Sequence, residues 1–328
     1  MLDPRTPALI LAPMDGVTDA PMRALQGSTG AFSYAVTEFV RISVDALPAK
    51  VFARDIPELA NGSRTLTGMP VQVQLLGGDP ERMARSAVAA CEAGATGIDI
   101  NFGCPAPTVN RHDGGASLLR HPCRLREVVR QVRAAVPAHI PVSAKLRLGW
   151  DSIDSIDENA AMAAEGGASW LTIHARTRVQ GYLPPVYWPS IGRVREALGL
   201  PVIANGDIWT LEDFRRCQEE TGCIHFMIGR SALASPALPH QIADELGFPP
   251  REVETDWVRL LERLAYWTDH YGQRVSGRTL ARMKQWLKLA RLYGGFEHFD
   301  LLKTSSSVDE LMTILRSAYE RNIPALEC

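Results

Sequence analysis

A cysteine set between a glycine and a proline, just past an apolar run, is the first chemical signal in this chain. The stretch IDINFGCPAP, residues 98–107, brings a strand-like run to Asn101 and places the thiol of Cys104 shortly after it. Structural cysteines pack as small hydrophobes inside helices and strands, and Cys91 and Cys217 are expected there. Cys104 is expected on a turn. A nucleophilic thiol needs its pKa lowered by a nearby histidine or a helix N-terminus. A proton donor must instead stay a thiol, near its ordinary value of about 8.5. No histidine lies within NFGCP, and His112 and His174 can approach only through the fold. The motif therefore favours a general acid at Cys104.

Other apolar runs also end on groups that can do chemistry. The first leads to Pro13, Met14 and Asp15, the second to Glu38 and Arg41, and the third ends around Gln74. The fifth gives Lys145 and Arg147, the sixth His174 and Arg176, the seventh Asn205, Gly206 and Asp207, and the eighth Gly229 and Arg230. Each has a structural alternative. Gln74 could satisfy neighbouring backbone, His174 could be a core histidine, Asp207 could cap the helix starting near Thr210, and the two glycines could serve turns alone. Lys145 is harder to explain away, because a lysine on a strand of small and apolar residues needs a partner. The last two run ends, NGDI and IGRSAL, resemble loops that build a phosphate site from amides and a short helix. Arg230 would add a fixed cationic fork there.

Positioning these groups requires a repeating scaffold. Eight short runs rich in β-branched residues occur at 8–12, 34–39, 71–76, 97–101, 141–146, 170–174, 201–205 and 224–229. They recur about 31 residues apart, close to the spacing of eight βα units in about 250 residues. Near-continuous apolar runs imply parallel strands covered by helices. Helical segments lie between them, at 79–94 with Asp79 as N-cap and Gly94 as stop, and at 210–222 with a Thr210/Asp213 capping box. The expected fold is α/β, a (β/α)8 TIM barrel over residues 1–243, followed by a small all-helical domain over 244–328. A doubly wound sheet is the alternative, disfavoured because no GxGxxG follows the first strand.

Bulk properties narrow the setting. The 328 residues carry a net charge of −2, which argues against indiscriminate nucleic-acid binding but leaves room for a local basic patch. The six cysteines form no CxxC pair and no zinc-type cluster, so neither disulfides nor a metal is expected. No signal peptide or membrane span is expected either, which predicts a cytoplasmic protein.

The motifs LAPMDGVTDAPMR, TEF, VQLLGGDPERMA, IDINFGCPAPTV, GGASLL, KLRLGW, HARTR, VIANGDI and MIGRSAL resemble, in order and spacing, those of the tRNA-dihydrouridine synthases. TEFVR, RLGWDS and ARMKQWL resemble the bacterial C subgroup. The resemblance implies an FMN enzyme that uses NADPH to reduce a uridine of tRNA, with hydride passing from flavin N5 to C6 and a proton from Cys104 to C5. It implies flavin contacts from Gln74, Lys145 and His174, with Pro13, Met14 and Asp15 lining the site. It places the ribityl phosphate at Asn205, Gly206, Asp207, Gly229 and Arg230, and gives Asn101 a hold on the target base. Position 16 of the D-loop is the expected target.

The run QRVSGRTLARMKQWLKLAR, 273–291, contains six basic residues and no acidic one. Leu280, Met283, Leu287 and Ala290 would face a core, while Lys284, Lys288 and Arg291 form a separate stripe, with Arg282 nearby. Phosphate contacts are expected there, and Glu38, Arg41 and Arg147 are expected near flanking nucleotides. The expected partner is tRNA, not DNA or a membrane, bound by a monomer. The competing expectation is an FMN barrel acting on a free pyrimidine-like molecule, which would need no basic helical domain.

Overall fold

All eight apolar runs fold as parallel strands of one closed barrel: β1 (Ala8–Leu11), β2 (Tyr34–Val36), β3 (Val71–Leu76), β4 (Ile98–Phe102), β5 (Val142–Arg147), β6 (Leu171–His174), β7 (Val202–Asn205) and β8 (His225–Ile228). The structure, a computed structural model, describes residues 1–111, 113–272 and 278–321. His112, considered above as a partner for Cys104, lies outside them. The order is β2-β1-β8-β7-β6-β5-β4-β3, and a β2–β3 pairing closes the ring. The second run stops earlier than its sequence predicts. Thr37 keeps the ladder through its amide to Gln72 O at 2.9 Å, and its hydroxyl accepts from the Gln74 amide at 3.0 Å. The chain then makes a two-residue strand, Val40–Arg41, against the end of β3.

Alternation along the strands divides the core in two. Leu9, Leu11, Val73, Leu75, Ile98 and Ile100 point outward into the main core, with Met83, Val128 and Val132 from the covering helices. Ile10, Tyr34, Ile203 and Met227 point inward with Trp170. Fully burying one such leucine or isoleucine stabilises the fold by about 1.5–3 kcal/mol. The covering helices start as their caps dictate. Asp79 accepts from the Arg82 amide at 2.9 Å, and Thr210 and Asp213 form a reciprocal capping box. Asp207 therefore does not cap that helix.

The C-terminal region contains helices Trp257–His270, Arg278–Gly294, Phe299–Leu302 and Val308–Arg321. Met283, Leu287 and Ala290 are buried as their spacing predicts, Leu280 is half-buried, and Trp286 joins them. This core is continuous with the barrel, because Met22, Leu25 and Leu233 belong to it. Trp286 Nε1 also donates to Leu233 O at 2.8 Å. On the other side, helix Leu238–Glu245, Leu246 and Phe248 still pack on the main barrel core. Among the described residues no helix is long and apolar enough to cross a membrane.

Candidate active site

The carboxyl ends of the strands surround a cavity of about 650 Å³. Its wall includes Pro13, Met14, Asp15, Gln74, Asn101, Cys104, Lys145, Arg147, His174, Asn205, Gly206, Asp207, Gly229 and Arg230. Register accounts for the convergence: Asn101 lies beside Lys145, Arg147 beside His174, and His174 beside Asn205. Glu38, Arg41, Arg282, Lys284, Lys288 and Arg291 are not on this wall.

One side of the cavity is a chain of polar groups. Asn101 Oδ1 accepts from the amides of Gly103 and Cys104, each at 2.9 Å, and so fixes the turn that carries the thiol. Asn101 Nδ2 donates to Gln74 Oε1 at 2.8 Å, and Gln74 Nε2 donates to Asp99 Oδ2 at 2.7 Å. Arg147 braces the same turn by donating to Gly103 O at 2.8 Å, and also to Thr177 O at 3.0 Å and Gly181 O at 2.7 Å. It is buried and held to three carbonyls through Nε and Nη1, yet it still lines the cavity. Gly115 backs the turn at φ +59°, and a Cβ there would lie 3.0 Å from both Cys104 Cβ and Cys104 O.

Electrostatics follow from burial. Burial pushes the Cys104 thiol up, and the Ala106 amide, then Arg147 and Lys145, offset this only in part. The group stays protonated at neutral pH. Burial lowers Lys145 to about 8, with Arg147 adding to the effect and Asp99 opposing it. Its ammonium donates to Asn205 Oδ1 at 3.2 Å, and Asn205 Nδ2 donates to Met227 O at 2.8 Å. Burial, then the charges of Arg147 and Lys145, hold His174 well below the usual histidine range, so the imidazole is neutral. Gly206 is at φ +121°, and a Cβ there would meet the His174 ring at 2.7 Å.

The other side is cationic and aromatic. Arg176 is fully buried and grips Asp207 with both terminal nitrogens. Arg230 reaches the same carboxylate at 3.2 Å. Its guanidinium lies 4.7 Å from the Tyr182 ring, 5.0 Å from Trp209 and 5.6 Å from Tyr293. Trp209 and Tyr293 stack at 4.7 Å. Gly229 is the N-cap of the short helix Arg230–Ala234, and a Cβ there would lie 3.1 Å from Met14 Sδ. Its size is therefore set by packing.

The expected nucleic-acid residues divide. Arg282 donates to Gly16 O at 3.2 Å and Val17 O at 3.1 Å and pairs with Asp19, which makes it a clamp between helix and barrel. Lys284 donates to Ser305 O at 2.5 Å, Arg291 pairs with Asp300 at 2.7 Å, and Arg41 donates to Thr108 O at 3.2 Å. Glu38 is half-buried, and burial raises its carboxyl. Lys288 is exposed and, among the described residues, has no ion-pair or hydrogen-bond partner. Sequence reasoning missed Asp99, Gly115, Tyr182 and Trp209. Asp99 carried a signal, since it stands two residues before Asn101 on the same strand face. Tyr182 and Trp209 lie on loops with no periodicity to reveal them.

The chain is similar to known proteins over most of its length. The family model described as "Dihydrouridine synthase (Dus)" matches residues 10–322. A tRNA-dihydrouridine(16) synthase of Aquipseudomonas alcaligenes is 45% identical over 288 residues, 87% of this chain and 91% of the relative. One from Shewanella oneidensis is 44% identical over 313 residues, 94% of this chain and 98% of the relative. Among solved structures, a 2-naphthoyl-CoA reductase complex shares the fold with a TM-score of 0.56 at 11% identity, covering 74% of this chain and 50% of that one.

Proposed function

The chain belongs to the dihydrouridine synthase family, and from that premise we propose that it reduces uridine 16 of tRNA to 5,6-dihydrouridine, with FMN in the barrel cavity and NADPH as reductant. The observation that carries the reading is the meeting, on one cavity wall, of a protonated thiol at Cys104, a half-buried ammonium at Lys145 and a cation at Arg230. A flavin fits this donor set. The cavity lies within the usual range of about 300–1,000 Å³ for cofactor sites. Gln74, Lys145 and His174 would face the ring; Asn205, Gly206, Asp207, Gly229 and Arg230 would hold the phosphate end, with Pro13, Met14 and Asp15 along the edge.

When bound, the flavin supplies the hydride. The chain's own residues do the rest. Lys145 offers a positive charge where negative charge would accumulate. His174, being neutral, adds no competing charge. Cys104 holds the proton destined for the base, and Asn101 and Arg147 fix the turn that aims it. A base must leave its stack to enter this cavity. The exposed ring of Tyr182 at the mouth is a surface on which it or its neighbour can stack. Lys288 offers a phosphate contact.

The test is to map dihydrouridine in tRNA from a strain lacking this gene, complemented with the wild-type protein or with Cys104→Ala. The wild type should restore the modification at position 16 and the variant should not. Activity on free uridine equal to that on undermodified tRNA would favour a small-molecule reductase instead. A colourless wild-type preparation that binds no FMN would end the flavin reading.

A further inference from the structure

Asp99 is buried in the barrel interior and is not on the cavity wall. Its Oδ1 accepts from Ser143 Oγ at 2.5 Å, and that hydroxyl accepts from Gln72 Nε2 at 2.9 Å. Its Oδ2 accepts from Gln74 Nε2. An ionised carboxylate is acceptor-only, whereas an amide can present either end. The carboxylate therefore forces the NH2 of Gln74 toward itself and leaves Oε1 to face Asn101. Asn101 must then direct its NH2 at Gln74, and its oxygen falls on the amides of Gly103 and Cys104. The carboxylate, which can only accept, and the amides of Gly103 and Cys104, which can only donate, hold the chain from its two ends.

We propose that Asp99 is a positioning residue for the reduction: through the fixed orientations of Gln74 and Asn101 it holds the Cys104 turn in the geometry that delivers the proton. The inference deepens the function proposed above and rests on it. Tyr34, Gln72, Ser143, Gln74 and, by its charge, Lys145 form the surroundings of this carboxylate. Burial raises its pKa to about 6 despite the bonds from Ser143 and Gln74. Raising a carboxyl above its unfolded value means that ionisation opposes folding. Stability from this group is greatest below about 4 and is lost as the pH rises to about 6. A buried charge that opposes folding yet orders a reactive turn is what a site shaped for activity retains.

Asp99→Asn separates positioning from simple structural support. An asparagine offers one acceptor and one donor, so the chain loses its acceptor-only anchor at this end without losing shape, and only the Gly103 and Cys104 amides still orient it. Four measurements on the full-length protein report the outcome. Anaerobic reoxidation of the reduced flavin by undermodified tRNA should fall about 10- to 100-fold, while flavin reduction by NADPH stays within about twofold. Iodoacetamide labelling of Cys104 in the flavin-free protein, read by peptide mass spectrometry, should quicken about threefold or more as the turn loosens. The melting temperature at neutral pH should hold or rise. Ser143→Ala, which strips the donor from the other carboxylate oxygen, should show the same kinetic and labelling pattern at a smaller amplitude, with a lower melting temperature from the unsatisfied acceptor, and serves if Asp99→Asn fails to fold. Wild-type reoxidation and labelling in these variants would overturn the proposal. So would losses of both half-reactions in step with a lower melting temperature. A wild type that binds no flavin or leaves tRNA unreduced would instead sink the underlying function, and the labelling and melting results would still judge Asp99.

Discussion

Two polar regions of this molecule look alike in sequence and behave differently in structure. At the cavity each group hands on to the next, from Asp99 behind the wall to Gln74, Asn101 and the Cys104 turn, and from Lys145 to Asn205. Along helix Arg278–Gly294 the basic residues go to separate partners: Arg282 to the 16–19 loop, Lys284 to Ser305 and Arg291 to Asp300. Strand register makes neighbouring side chains face one another by construction. Helical spacing puts charges on one face but leaves their partners to whichever loops pass by. The first region can act as a unit, while in the second, among the described residues, Arg278 and Lys288 have no ion-pair or hydrogen-bond partner.

That contrast can be broken or sharpened by substitution. Cys104→Ala should lower tRNA reduction about 10²- to 10⁴-fold with flavin absorbance retained; loss of flavin alongside activity would make the thiol a packing residue. Lys145→Met should cost about 10²-fold in single-turnover rate. The wild-type rate should decline as the pH rises through about 8, where the ammonium loses its charge, and the variant should lack that decline. Gly115→Ala forces a left-handed backbone onto a residue with a Cβ and crowds Cys104. It should cost about 1–2 kcal/mol in chemical denaturation and about tenfold in rate. The smallest effects test the helix. Lys288→Ala should reduce the log–log salt slope of tRNA binding by up to ~0.9. Lys284→Ala should leave the slope unchanged and cost about 1 kcal/mol of stability through the lost bond to Ser305. An altered slope in Lys284→Ala alone would reverse the assignment.

The barrel was legible because run spacing and cap residues are local signals. Asp79, Thr210 and Asp213 each do what their position implies. The convergence at the mouth was legible too, since parallel strands in register put their carboxyl ends together. Less legible was the polar interior. Gln72 and Gln74, Asp99 and Asn101, and Ser143 and Lys145 repeat at period two, yet the flanking Val, Ile and Leu make the runs read as uniformly apolar. Which end of an amide points where is not a property of sequence at all; it emerges from the bonds of Asp99. The engagement of Arg147 with Gly103, Thr177 and Gly181 was likewise hidden, because two of those carbonyls belong to a loop more than 25 residues away.

The guanidinium of Arg230 touches rings from both parts of the chain, Trp209 from the barrel loops and Tyr293 from the C-terminal helices. Whatever anion it grips is therefore felt on both sides of that seam. A ligand at a hundred times its dissociation constant adds about 2.7 kcal/mol to the folded state. Here that gain would be shared across the shared core of Met22, Leu25 and Leu233, so heating should unravel the two parts together, and later when the anion is present.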